Sequence, residues 1–152
     1  MRILVVDDSK KQRKAAVEQL QSVGVEVVTE SEYVTAVKRI ERGEKFDVAL
    51  LDLLMPAEAE MLAGKALEHL GETIDVGYPL AIKLALLGIK RIAVATDTTH
   101  HEHPSSAMMD WFKGKVIRIE ESTVILMHAP TSPQRIKDWK RVLEMLMKAD
   151  AA

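Results

Sequence analysis

Met1-Arg-Ile-Leu-Val-Val-Asp-Asp-Ser9 and Phe46-Asp-Val-Ala-Leu-Leu-Asp-Leu-Leu-Met-Pro56 decide the reading of this chain. In both stretches a short apolar run ends on carboxylates. Ile3-Leu4-Val5-Val6 has no polar alternate, which suits a strand covered on both faces rather than one with a wet side. Phe46 to Leu51 repeats the pattern, with Asp47 at its mouth and Asp52 at its exit. Two such strands side by side would bring Asp7, Asp8 and Asp52 to one edge of a sheet.

Working outward, strand and helix patterns alternate. Ser9 is placed to cap a helix whose apolar positions are Ala16, Val17, Leu20 and Val23, and Gly24 stands where a left-handed C-terminal cap is wanted. Val25 to Thr29 reads as a second strand. A second helix is expected from Ser31, with Val34, Val37 and Ile40 on one face and Gly43 past its end. After Pro56 the rhythm loosens, and Met61, Leu62, Ala66, Leu67 and Leu70 suggest one short amphipathic helix within an insertion over 57–76. Pro79 to Leu87 reads as an apolar helix closed by Gly88, and Arg91 to Ala95 as a fourth buried strand. Beyond a polar loop, Pro104 opens a helix to Phe112. Val116 to Ile119 and Thr123 to Met127 form a hairpin about Glu120-Glu121-Ser122 (a second insertion, 114–122), and Ser132-Pro133 is expected to start a last helix. Ile136, Trp139, Leu143 and Leu146 mark its buried stripe, and both Trp139 and Trp111 are expected to be buried or half-buried.

Alternation of this kind predicts an α/β fold, a parallel sheet with helices on both faces. Right-handed crossovers favour a flavodoxin-like three-layer sandwich with strand order 2-1-3-4-5, and the hairpin adds an antiparallel edge strand near 116–119. The 152 residues, 47% hydrophobic and 29% charged, suit a single domain over 1–152. Zero Cys excludes disulfides and thiolate chemistry. A net charge of −2 gives no electrostatic reason for nucleic acid or an anionic membrane as partner. No apolar run nears the roughly 18 residues of a membrane span. Ile3 to Val6 meets Asp7 too soon for a secretory signal. A cytoplasmic protein is expected.

Three carboxylates converging on one sheet edge repel, and a cation relieves them. An oxygen-only ligand set suits Mg²⁺, which keeps several of its waters; Mn²⁺ or Zn²⁺ are further candidates. The plain alternative is that each acid forms a turn or caps a helix. The two opening segments resemble the signature segments of bacterial response-regulator receiver domains, and Val94-Ala-Thr96 is similar to that family's strand ending in a hydroxyl. The resemblance is close over residues 1–56 and looser afterwards. It implies that Asp52 accepts a phosphoryl group from a histidine kinase, a phosphotransfer protein or a small phosphodonor. It also implies that Asp7, Asp8, Asp52 and the Leu54 backbone carbonyl hold Mg²⁺, and that Thr96 contacts the phosphoryl group. The protein would then be a two-component phosphorelay regulator and not an enzyme beyond its own phosphorylation and dephosphorylation. With only Ala-Asp-Ala-Ala after the last helix, a stand-alone receiver is expected, a monomer or weak homodimer signalling through a downstream protein.

The family's lysine at the end of strand 5 has no counterpart in Leu126-Met127-His128-Ala129-Pro130, and Ile125 and Leu126 replace its aromatic residue. His128 is therefore a candidate for a partial substitute, since a protonated imidazole can face a phosphoryl oxygen. Asp97, His100, His101 and His103, with Glu102, form a second candidate cluster for a metal or for regulation, against the plain reading of a solvated loop. The basic start Lys10-Lys11-Gln12-Arg13-Lys14 reads as a solvated face or a kinase-docking surface. Two other functions remain open: a metal-dependent hydrolase or phosphatase using the acids with the histidine loop, and a pseudo-receiver that binds partners without taking phosphate.

Overall fold

The computed structural model describes all 152 residues. Six strands form the main sheet: β1 (Arg2–Val6), β2 (Glu26–Glu30), β3 (Val48–Leu51), β6 (Arg91–Thr96), β7 (Ile117–Ile119) and β8 (Ser122–His128). Their order is β2-β1-β3-β6-β8-β7; the first five run parallel, and β7 lies antiparallel on β8. This is the flavodoxin-like arrangement expected from the alternation, with the added edge strand in the expected place. No helix is long and apolar enough to cross a membrane.

The uninterrupted apolar strands are explained by two cores, one on each face. Leu4, Val6, Ala49, Leu51, Ile92 and Val94 pack towards α2 (Tyr33–Glu41) and α3 (Gly77–Leu86). Their neighbours Ile3, Val5, Val48, Leu50, Ala93 and Ala95 pack towards α1 (Lys10–Gln21) and α5 (Trp139–Ala151). With period-2 alternation, every apolar residue of β1, β3 and β6 is thus committed to one core or the other.

Three local expectations are corrected. The helix drawn through 61–70 is absent. Gly64 and Gly71, both at positive φ, break the segment into 3₁₀ turns at Ala59–Met61 and Gly64–His69. The segment closes on a two-stranded ribbon of β4 (Met55–Pro56) and β5 (Thr73–Ile74), with Leu67 and Leu70 exposed. The last helix begins at Trp139 rather than Ser132, because Asp138 supplies the cap, its carboxylate accepting from the Arg141 N–H at 3.0 Å. Trp139 is fully buried, but Trp111, on the 3₁₀ turn that follows α4 (Pro104–Met108), is 72% exposed.

Segment 57–76 also completes α2. That helix has no capping side chain of its own at Glu32. Instead the Glu58 carboxylate, from that segment, accepts from the Val34 N–H at 3.1 Å, satisfying one orphan donor of the first turn.

Gly77 fixes how close α3 comes to the exit of β3. Its N–H donates to the Leu53 carbonyl at 2.8 Å. A Cβ at this position would lie 2.4 Å from the Asp52 carbonyl oxygen and 2.7 Å from Leu53 Cα. Both are backbone atoms that cannot swing aside. Gly77→Ala is therefore expected to destabilise the fold by about 1–3 kcal/mol, as overpacking does. A drop of several degrees in thermal midpoint, read by circular dichroism, checks this; an unchanged midpoint contradicts it.

Candidate functional site

Strand register assembles the site. β1 and β3 pair with Val6 opposite Leu51, so the next residues, Asp7 and Asp52, leave the sheet side by side. The Asp52 N–H donates to the Val6 carbonyl at 2.7 Å, extending the ladder by one bond past the strand. β6 lies beyond β3, with Leu51 opposite Val94, and so brings Thr96 to the same rim. Thr96 is fully buried, and its hydroxyl oxygen accepts from the Thr98 N–H at 3.1 Å.

Asp7, Asp8 and Asp52 each offer a carboxylate oxygen, and these atoms lie within 4.8 Å of one another. Asp7 and Asp52 are buried and Asp8 is exposed. One Asp7 oxygen accepts from the Ser9 N–H at 2.9 Å. Arg13, from the basic start of α1, donates to the Asp7 and Asp8 carbonyls at 2.8 and 2.9 Å and holds the turn that presents both acids. An all-oxygen set with one member open to water is the donor chemistry of a hard divalent cation such as Mg²⁺.

The cation on this cluster in the folded chain is Lys137. Its side chain is completely buried, and its Nζ lies 2.7 Å from Asp7 Oδ2 and 2.8 Å from Asp52 Oδ1. The Trp139 ring lies beneath the ammonium, its centroid 5.0 Å away. Lys137 comes from the segment between β8 and α5. There Thr131 bridges to Lys137 and the Asp138 N–H donates to the Pro130 carbonyl at 2.7 Å, so the chain doubles back on itself. Arg135 turns the corner at φ 61°.

Burial dominates the electrostatics. It pushes the Asp52 carboxyl up to about 7, against the attraction of Lys137 and with help from Asp7. Burial raises Asp7 in the same way, again opposed by Lys137. For Lys137 burial works against the charge, but Asp52 and Asp7 together outweigh it, and the ammonium is held above its ordinary value.

The other candidates sit elsewhere. His128 is carried to the rim opposite Thr96, yet its ring turns away from the acids. Nδ1 meets the Thr98 carbonyl at 3.0 Å and Nε2 meets Asp110 at 3.1 Å. The ammonium beside Asp52 is that of Lys137, and the expectation that His128 faces the acids is corrected accordingly. The His100 and His101 rings lie 3.8 Å apart between centroids at a 46° tilt, and His103 caps α4 by accepting from the Ser105 N–H at 3.1 Å. Asp97 is within 3.4 Å of the Gln12 amide, and Glu102 pairs with Arg135 at 3.0 Å. The histidine loop does not gather into a ligand set; Asp7, Asp8 and Asp52 form the one cluster with that geometry. Leu54 follows Leu53, whose carbonyl is already engaged by Gly77, and sits half-buried beside the acids.

Lys137 was missed in the sequence because the helix was drawn from Ser132, which places residue 137 off the buried stripe of Ile136 and Trp139. A signal was present on α1. Gln12 falls in line with Ala16 and Leu20, a polar residue on an apolar stripe, and such a residue needs a buried partner.

No family model and no curated protein sequence matches this chain. Solved structures do. The N-terminal domain of a response regulator/sensory box/GGDEF three-domain protein from Carboxydothermus hydrogenoformans is 18% identical, with a TM-score of 0.59, covering 99% of this chain and 94% of that one. The response regulator TrrA from Thermotoga maritima, solved with Mg²⁺ and BeF, is 21% identical with a TM-score of 0.58 and 97% of each chain covered. A CheY-like receiver domain from Methanospirillum hungatei is 20% identical with a TM-score of 0.58, covering 99% of this chain and 96% of that one. Along nearly its whole length, this chain has the fold of response-regulator receiver domains.

Proposed function

We propose that the protein is a receiver that accepts a phosphoryl group on Asp52, with a histidine kinase or phosphotransfer protein as donor and a further protein as its downstream partner. The observation that carries this reading is the buried Lys137 ammonium bridging Asp7 and Asp52, with Thr96 on the same rim. Phosphoryl transfer to a carboxylate is mostly a matter of positioning and charge neutralisation. An Asp52 oxygen forms the new P–O bond as the bond from phosphorus to the donor imidazole nitrogen, or to the acyl oxygen of a small phosphodonor, breaks. The electron pair of the broken bond leaves with the donor. Lys137 offsets the charge on the phosphoryl oxygens, and the Thr96 hydroxyl can donate to one of them. Asp7, Asp8, Asp52 and the Leu54 carbonyl would hold Mg²⁺, which supplies further positive charge to the transferring group. The chain's own chemistry is confined to gaining and losing this group, so it acts as a switch and not as an enzyme on other substrates.

Incubation with acetyl phosphate and Mg²⁺, followed by intact-mass measurement, tests the assignment. Wild type should gain one phosphoryl group and Asp52→Asn none. Uptake by both proteins, or by neither, removes Asp52 from its role.

The ionisation of Asp52 gives a second test. Its carboxyl sits at about 7 in the fold, against about 3.9 in an unfolded chain. Between those values the native state holds a proton that the unfolded state has released. Metal-free stability should therefore be greatest at acidic pH and fall as pH rises through 7. Mg²⁺ competes for the same oxygen, so its stabilising effect should grow over the same interval. Urea midpoints between pH 5 and 8, with and without Mg²⁺, measure both trends. Asp52→Asn should flatten the metal-free slope, and an unaltered slope would assign it to other groups.

A further inference from the structure

Gln12 is a buried glutamine, 2% exposed, on the face of α1 that meets α5. All three of its hydrogen bonds to other elements' backbone or indole groups fall on the short stretch that carries Lys137. Its Oε1 accepts from the Lys137 N–H at 2.9 Å, and its Nε2 donates to the Arg135 carbonyl at 2.7 Å. Its backbone carbonyl accepts from the Trp139 indole N–H at 3.1 Å. One turn pair further along α1, Gln19 holds the other side of the same peptide. Its Nε2 donates to the Lys137 carbonyl at 2.9 Å, and its Oε1 accepts from the Trp139 N–H at 2.7 Å.

We propose that Gln12 is the positioning residue of Lys137. The cation that faces Asp52 is aligned by a side chain of α1 and not by the strand pairing that aligns Asp7, Asp52 and Thr96. A strand residue inherits its place from the ladder, whereas segment 130–138 depends on its own turn and on side-chain bonds, the amides of Gln12 and Gln19 together with Lys11 on the Gln134 carbonyl and the Arg135 guanidinium. Arg135 adopts a left-handed backbone, which a residue other than glycine keeps only where its surroundings enforce it. Gln12 enforces it by fixing the Arg135 carbonyl, and the Arg135 guanidinium adds bonds to the Asp97 carbonyl and to Glu102. Without the Gln12 amide, the buried Lys137 N–H and the part-buried Arg135 carbonyl lose their partners, and the segment must shift to satisfy the Lys137 N–H. The ammonium then leaves its position between the two acids.

The kinetic consequence rests on the reading of Asp52 as phosphoacceptor; the geometric part does not. Gln12→Met keeps the length of the side chain and removes both polar ends. An ammonium held by two buried carboxylates exchanges slowly and should give its own ¹H–¹⁵N signal, identified by its loss in Lys137→Met. The signal is expected in wild type and expected to vanish in Gln12→Met, with backbone amide shifts unchanged except in α1, in residues 129–142 and beside the contacted acids Asp7, Asp52 and Asp97. Gln12→Asn, one methylene too short, should behave likewise and serves if Gln12→Met does not fold. In the phosphoryl-uptake assay Gln12→Met should slow transfer on the order of 10- to 100-fold, the scale of a misplaced reacting group. Because Gln12 acts through Lys137, the double variant should be no slower than Lys137→Met alone. An unchanged ammonium signal in the glutamine variants, its absence from wild type, or additive losses in the double variant each overturn the proposal. Absence of any phosphoryl uptake by wild type refutes the phosphoacceptor reading instead, and the ammonium signal alone then decides the role of Gln12.

Discussion

A lysine ammonium with no exposure to water sits between two buried carboxylates, and the rim of the sheet is organised around it. Two acids so deep in a protein would otherwise take up protons or force the strands apart. One ammonium neutralises one charge, and the remainder is left for whatever binds at the open side next to Asp8. Buried pairs of this kind add little to stability in themselves, but removing one partner strands the other at a cost of about 3–5 kcal/mol. The arrangement is thus fixed by what its absence would cost.

The acids were legible in the sequence because strand ends are local. Ile3 to Val6 and Phe46 to Leu51 state their burial in their composition, and the residue after each run is delivered to the rim by ladder geometry alone. Thr96 follows by the same rule. The edge strand announced itself through β-branched residues on either side of Glu120-Glu121. Lys137 obeyed no such rule. Its place depends on a turn with a left-handed arginine and on glutamines more than a hundred residues earlier, and neither leaves a periodic trace. The apolar spacing from Ile136 to Leu146 extended the last helix backwards over the segment that matters. His128 stood out for the opposite reason: its strand position was right, but rotation about its side-chain bonds took the ring to Asp110.

Residues 57–76 and the β7–β8 hairpin occupy parts of the fold that leave the acids untouched. Residues 57–76 hang from the small β4–β5 ribbon and finish the first turn of α2 through Glu58. β7 covers the edge of β8, the strand that would otherwise border the sheet, while Trp111 stays in solvent on the turn before it. Covering an edge strand removes a row of unpaired backbone groups from that side.

Surface connections ordinarily tolerate gain or loss of residues, since little depends on their span. The link from β8 to α5 is an exception. Pro130 is bonded to Asp138 across its base, and a buried head group must reach a fixed point from the residue just before the helix cap. Residues near its tip, such as Gln134, are exposed and can vary in kind. Inserting or deleting a single residue there would slide the ammonium off both acids while leaving every strand in register. The segment is constrained in count rather than in composition.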